Sequence, residues 1–164
     1  MANRHSLALF IVVLGVCGSF GLALASANLT GTLQAYRVVV TDEGVEEFLP
    51  ADNAHPSDVI EYRLVYANTG DEPIQNVLIT DPIPIGTKLV PPKASKPEGA
   101  RVEYSIDGGK NFQPWPILIK TRDRDGKEKV VEATPEMVTH VRWALSDAIE
   151  PDGGITLKYR TVIK

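Results

Sequence analysis

Cysteine is almost absent from this sequence. The single Cys17 among 164 residues falls in an apolar amino-terminal stretch, so residues 28–164 offer no disulfide, no thiolate nucleophile and no thiolate ligand. A fold without such staples must be held by packing, and a chain of this length can bury enough apolar surface to manage it. Histidine is nearly as scarce. His55 and His140 are the two beyond the leader, far apart in the chain, and neither has an acid or cysteine at a metal-ligand offset. Positive charge is not concentrated anywhere: 17 basic and 21 acidic side chains give a net charge of −4. Binding to nucleic acid or to an anionic membrane surface needs a basic patch, so neither partner is expected. Convincing helical periodicity, internal repeats and low-complexity tracts are also missing.

What the chain does have begins with a leader. Arg4 and His5 precede an apolar run from Leu7 to Leu24, and Ala25-Ser26-Ala27 follows. A basic end, an apolar core and small residues at the cleavage point are the three parts of a secretory signal peptide, which places the processing site after Ala27. The run is long enough to leave an uncleaved anchor as the alternative, although Gly15, Gly18, Ser19 and Gly21 weaken it. Leu14-Gly15-Val16-Cys17 is a poor lipidation box because Val16 is too bulky before the cysteine. The expectation is therefore a signal peptide over 1–27 and one domain over 28–164, exported to the periplasm, the cell surface or the medium, with no membrane segment after cleavage.

Past residue 28 the apolar residues recur at period two between clusters of glycine, proline, asparagine and aspartate, which is the pattern of half-buried strands. Strands are predicted over 33–40, 59–67, 74–80, 87–90, 101–106, 117–121, 129–131, 137–145 and 155–159. In the clearest, Ile60, Tyr62, Leu64 and Tyr66 form a core face and Glu61, Arg63 and Val65 a mostly wet one. Glu43, Glu46, Glu47 and Asp52 read as an acidic loop after the first strand. Asn68-Thr69-Gly70 reads as a tight turn using positive φ. Pro82 and Pro84 place their stretch at a sheet edge or corner, since proline donates no ladder hydrogen bond. Residues 91–100 read as a loop, Asp107-Gly108-Gly109-Lys110 as a hairpin turn leading to Phe112, and residues 122–127 as a charged hairpin tip. About eight or nine short strands with frequent turns predict an all-β, immunoglobulin-like antiparallel sandwich, with a barrel as the alternative.

Four blocks also carry a family resemblance. Tyr62 to Gly70, Val77 to Gly86, Tyr104 to Phe112, and Thr139 to Trp143 followed by Ile155 to Tyr159 resemble, in order, the "domain of unknown function 11" family of bacterial and archaeal surface proteins. The resemblance spans 33–164. It implies an immunoglobulin-like sandwich on an exported protein, with no catalytic residues. The chain has one copy of the unit and no wall-anchoring tail, unlike the repeated form.

Candidate chemistry is thin. Asp123-Arg124-Asp125-Gly126 has the start of a calcium loop but no third acid or closing glutamate, and Arg122, Arg124 and Lys127 repel a cation. The acidic stretch from Glu43 to Asp52 offers at most weak calcium binding between loops. Ser105 and Ser146 have no histidine near them in sequence. Trp115, between Pro114 and Pro116, fits either a binding surface or the core, whereas Trp143 sits in an alternating strand and is expected in the core. Asn28-Leu29-Thr30 matches a glycosylation sequon, read here as chance. No catalytic, cofactor or metal residues are assigned. The expectation is a non-catalytic structural or interaction module of the cell envelope, meeting a protein or envelope component through sheet edges or loops. The alternative is a fibre subunit that self-associates by exchanging a strand from residues 28–40.

Overall fold

The computed structural model describes residues 28–90 and 94–164; the expected leader over 1–27 lies outside them. The described chain is all-β, with ten strands rather than eight or nine. They are β1 Leu29–Val40, β2 Glu46–Pro50, β3 Val59–Asn68, β4 Leu78–Pro82, β5 Thr87–Leu89, β6 Ala100–Ser105, β7 Leu118–Arg122, β8 Glu128–Glu132, β9 His140–Leu145 and β10 Gly154–Ile163. Three sheets result: a five-stranded one ordered β2-β1-β3-β10-β5, a three-stranded one ordered β4-β9-β6, and the β7-β8 hairpin. Every pairing is antiparallel. Among the described residues no helix is long and apolar enough to cross a membrane.

Several boundaries differ from the sequence expectation for identifiable reasons. The stretch read as an acidic loop contains β2, which pairs with β1 from Val40↔Glu46 to Tyr36↔Pro50. Its residues are all exposed, so it carries none of the alternation that marks a half-buried strand. β1 begins at Leu29, four residues before the predicted start, because its register with β3 runs on to Leu29↔Asn68. The predicted strand over 74–80 is interrupted: Ile74 bridges Ile149, Asn76 turns the chain at φ 56°, and β4 starts at Leu78. Residues Pro135–Met137 form a 3-10 turn, so β9 starts at His140 rather than at Met137.

Two turns are held by side chains. Asn68 is not in the left-handed region; it is buried, donates from Nδ2 to the carbonyls of Glu72 and Ile149 at 2.7 and 2.9 Å, and accepts from the Gly70 N–H at 3.0 Å. A buried amide satisfied this way pins the β3 exit to the β9–β10 connection. After β6, Gly108 and Gly109 do take positive φ, at 76° and 82°. The return strand toward Phe112 reduces to one bridge, Tyr104↔Gln113, because Asp107 gathers the loop by accepting from Ser105 Oγ, the Lys110 and Asn111 N–H groups and Asn111 Nδ2. Those donors, the Asn111 backbone first, hold the Asp107 carboxyl well below the usual carboxylate range.

The core takes side chains from both larger sheets. Leu64, Leu89, Leu157 and Tyr159 of the five-stranded sheet pack in one cluster with Ile79, Tyr104, Val141, Trp143 and Leu145 of the three-stranded sheet. Trp143 is fully buried, as its alternation predicts, and its indole N–H donates to the Ser95 carbonyl at 2.9 Å. Tyr159 stacks with Tyr62 at 4.9 Å and meets Trp143 at 6.2 Å, and its hydroxyl donates to Asp81 Oδ2 at 2.6 Å.

Truncating Trp143 to alanine should lower unfolding free energy by about 3–5 kcal/mol in urea titrations, the usual cost of a large core cavity. Asp81 supplies a pH test. Burial raises its pKa more than the Tyr159 hydrogen bond and the His140 charge lower it. A raised folded-state value means that its stabilising share is complete below the ordinary carboxylate pKa and is lost as pH rises through the folded value. Asp81→Asn should therefore remove a decline in stability over that window, read as a flatter urea midpoint against pH.

Candidate functional site

The structure does not gather the sequence candidates into one centre. His55 precedes β3 beside Asp58, while His140 on β9 contacts Thr139 Oγ1 at 3.1 Å and lies against Gly109. Asp123 Oδ1 accepts from the N–H groups of Asp125 and Lys127 at 3.0 and 2.9 Å, so this carboxylate closes the β7–β8 tip. The acids of the supposed loop are dispersed: Glu43 sits in the β1–β2 turn, Glu46 and Glu47 on β2, and Asp52 in the following 3-10 turn. Among the described residues no three histidine, cysteine or acidic side chains are grouped as metal ligands would be. Ser105 Oγ donates to Asp107 at 2.7 Å, and Ser146 Oγ to the Gly99 carbonyl at 2.9 Å and to Asp147 at 3.3 Å; among the described residues neither hydroxyl bonds a histidine. Asn28 at the start of the sequon gives its carbonyl to the Thr69 N–H at 2.8 Å.

Two charged clusters that the sequence reading missed lie on the outer sheet faces. On the five-stranded sheet Glu61, expected on a wet face, is buried: it accepts from Arg63 Nε at 2.7 Å and Arg160 Nε at 2.9 Å. Arg160 also reaches both Glu46 carboxylate oxygens at 2.7 Å, and Arg63 covers the rings of Phe48 at 4.3 Å and Tyr36 at 4.5 Å. On the three-stranded sheet Glu103 accepts from Arg101 Nε at 2.8 Å and Arg142 Nε at 3.0 Å, with Arg142 over Phe112 at 3.9 Å. Burial pushes the Glu103 carboxyl up, but Arg142 and Arg101 together outweigh it and hold the group below its ordinary value. The local signal was an acid and an arginine at i and i+2, one strand face apart from the core. Its meaning depends on the third residue across the sheet, which no sequence window contains. The first cluster balances two carboxylates with two guanidiniums, and the second sets Glu103 between two guanidiniums and keeps one net positive charge; both act as cross-strand staples.

One of the concave surfaces among the described residues lies at the free side of β6. A groove of about 290 Å³ is lined by Ala94, Lys96, Arg101, Val102, Tyr104, Pro114 and Trp115. Trp115 meets both readings given to it: it packs against the core edge-on to Tyr104, with ring centroids 6.1 Å apart, and it lines this groove. Among the described residues its indole N–H has no hydrogen-bond partner, unlike that of Trp143. Val102 lies at the groove floor. Gly99 and Ser105 give their carbonyls to the β9 side, to Ser146 and Thr139, so by alternation the main-chain groups of Val102 point away from β9. Two aromatic side chains, a free indole donor, an unpaired peptide group and two cations can hold a ligand.

Compared with protein-family models, curated proteins and solved structures, the chain matches none.

Glu61 and Glu46 separate structural from surface electrostatics. Glu61→Ala leaves two guanidiniums without their buried acceptor and should cost about 3 kcal/mol of stability. Glu46 is 40% exposed at its side chain, so Glu46→Ala should cost under about 1 kcal/mol. Urea unfolding of both variants, at low and high salt, measures the contrast.

Proposed function

We propose that residues 28–164 form an exported immunoglobulin-like β-sandwich that serves the cell envelope as a non-catalytic interaction or structural module, meeting a protein or envelope component through sheet edges or loops. The shared core between the five-stranded and three-stranded antiparallel sheets supports the sandwich reading, as do the four blocks that resemble the surface-protein family. The leader pattern over 1–27 supports export. The observation that carries the binding role is the β6 edge, where an unpaired main-chain position sits between Trp115 and two cationic side chains. Edges of this kind recognise partners through main-chain pairing, with side-chain pockets supplying selectivity.

A fibre assembled by exchanging residues 28–40 is the competing outcome. In the monomer these residues form β1, which pairs with β3 at ten positions and with β2 at five. Exchange would have to break those pairs before remaking them with a neighbour. Fractionation of native cells, mass spectrometry of the amino terminus and negative-stain microscopy of sheared surface material test the proposal together. A monomer beginning at Asn28 in an exported fraction is the expected result. Filaments of the same material would replace this reading with strand exchange, and an unprocessed cytosolic chain would overturn export.

A further inference from the structure

We propose that the β6 edge binds an extended peptide with the pattern acidic–apolar–acidic, whose central residue pairs its main chain antiparallel with Val102. The inference rests on the interaction-module reading and adds the place and the ligand chemistry.

The argument starts from how short the open edge is. At one end the Ala100 N–H is taken by the Pro97 carbonyl at 3.1 Å. At the other, Tyr104 exchanges both main-chain bonds with Gln113, at 2.8 and 3.0 Å. Between them only Val102 presents an N–H and a carbonyl outward without a partner among the described residues. One residue of an extended strand carries the matching donor and acceptor, and in an antiparallel pair the two residues exchange both bonds. A free carboxylate or phosphate has acceptors alone and leaves the Val102 carbonyl unpaired.

Side-chain direction then sets the pattern. Val102 lies opposite Trp143 on β9, so its side chain is on the core face, where Tyr104 and Trp115 also lie. A ligand residue directly opposite Val102 points its side chain to that same face and meets the half-buried indole, which favours an apolar group. The two flanking ligand residues point to the other face, opposite Arg101 and Glu103, where Glu103 is already held by Arg101 and Arg142 and the three side chains together keep one net positive charge. Arg101 gives its Nε to Glu103 but keeps a side chain 70% exposed, and Lys96 has no ion-pair partner among the described residues. The groove lining has two cations and no acid in a chain of net charge −4, a local reversal that selects acidic flanking residues.

The probe is acetyl-Glu-Val-Glu-Val-Glu-amide, titrated into the 15N-labelled full chain. Saturable shifts are expected at the Val102 amide and the Trp115 indole N–H, with far smaller shifts on β2 and the β7–β8 tip. Lys96→Gln alters an exposed side chain outside the core and should weaken binding by roughly tenfold or less, the scale of one charge-assisted contact. Methylating the amide nitrogens of the peptide's valines should abolish binding, since the fold of the protein is untouched and only main-chain pairing is removed. The lysine counterpart of the peptide should leave both resonances unmoved. The proposal is overturned if the acidic peptide shifts neither resonance at millimolar concentration, or if the methylated or lysine peptide binds equally well. Inorganic phosphate shifting both resonances as strongly as the peptide would also overturn it, by reducing the site to an anion site. A failed titration alongside a processed, exported monomer overturns the peptide groove alone and leaves the module reading standing.

Discussion

The structure depends on burying Tyr159 with its hydroxyl satisfied. A phenol in an apolar core needs an acceptor, and Asp81, reached from the opposite sheet at 2.6 Å, provides it. That bond ties β10 in the five-stranded sheet to β4 in the three-stranded one, while the Tyr62 ring stacks on Tyr159 and the Trp143 ring tilts against it. With no cysteine after residue 27, such packing and hydrogen bonding must do what disulfides do in many small exported domains. Burial opposes ionisation of both partners, pushing the Asp81 carboxyl and the Tyr159 hydroxyl upward, while the hydrogen bond from Tyr159 favours the ionised carboxyl and offsets part of that shift.

The same core fixes the groove at the β6 edge. Trp143 donates its indole N–H to the Ser95 carbonyl, and Ser95 is laced to β10 through its N–H to the Lys158 carbonyl at 2.7 Å and through Lys158 N–H to its own hydroxyl at 2.7 Å. Lys96 follows directly, so a residue on a loop is held at its root by the largest fully buried side chain among the described residues. Tyr104 does the equivalent for Trp115: it is buried, bonded through its backbone to Gln113 and edge-on to the indole. Two walls of the groove thus inherit the rigidity of the core, which limits the ordering cost of binding.

Legibility in the sequence followed how far each feature could be seen from its own neighbours. β3, β6, β9 and β10 alternate strongly, and Leu157, Tyr159, Val141 and Trp143 fell on the buried faces that alternation assigns. The β7–β8 hairpin announced itself through its charged tip. β2 did not, because Glu46, Glu47, Phe48, Leu49 and Pro50 are all exposed, so its pairing with the adjacent β1 leaves no buried-face alternation to read. Glu61 was misread for another reason: alternation puts it on the outer face correctly, but its burial comes from Arg63 and Arg160 closing over it. Trp115 was legible as a residue of interest and not as half of a groove, since the other half begins at Ala94.

Three of the strand edges carry features that oppose pairing with a second chain. The Leu145 N–H bonds the Val77 carbonyl and the Ile83 N–H bonds the Thr139 carbonyl, so odd-numbered residues of β4 face β9 and even-numbered ones face outward. Pro82 falls in the outward set, where its missing N–H removes a donor from the free edge without breaking the ladder. β2 ends on Pro50 and carries Glu46 and Glu47, which discourage a second strand from pairing. β6 is closed by Pro97 at one end and Gln113 at the other. A single open residue is too short to template a growing sheet, yet it is long enough to align one residue of a ligand. The same local closure that suppresses indiscriminate pairing therefore leaves selectivity to the side chains on either side of Val102.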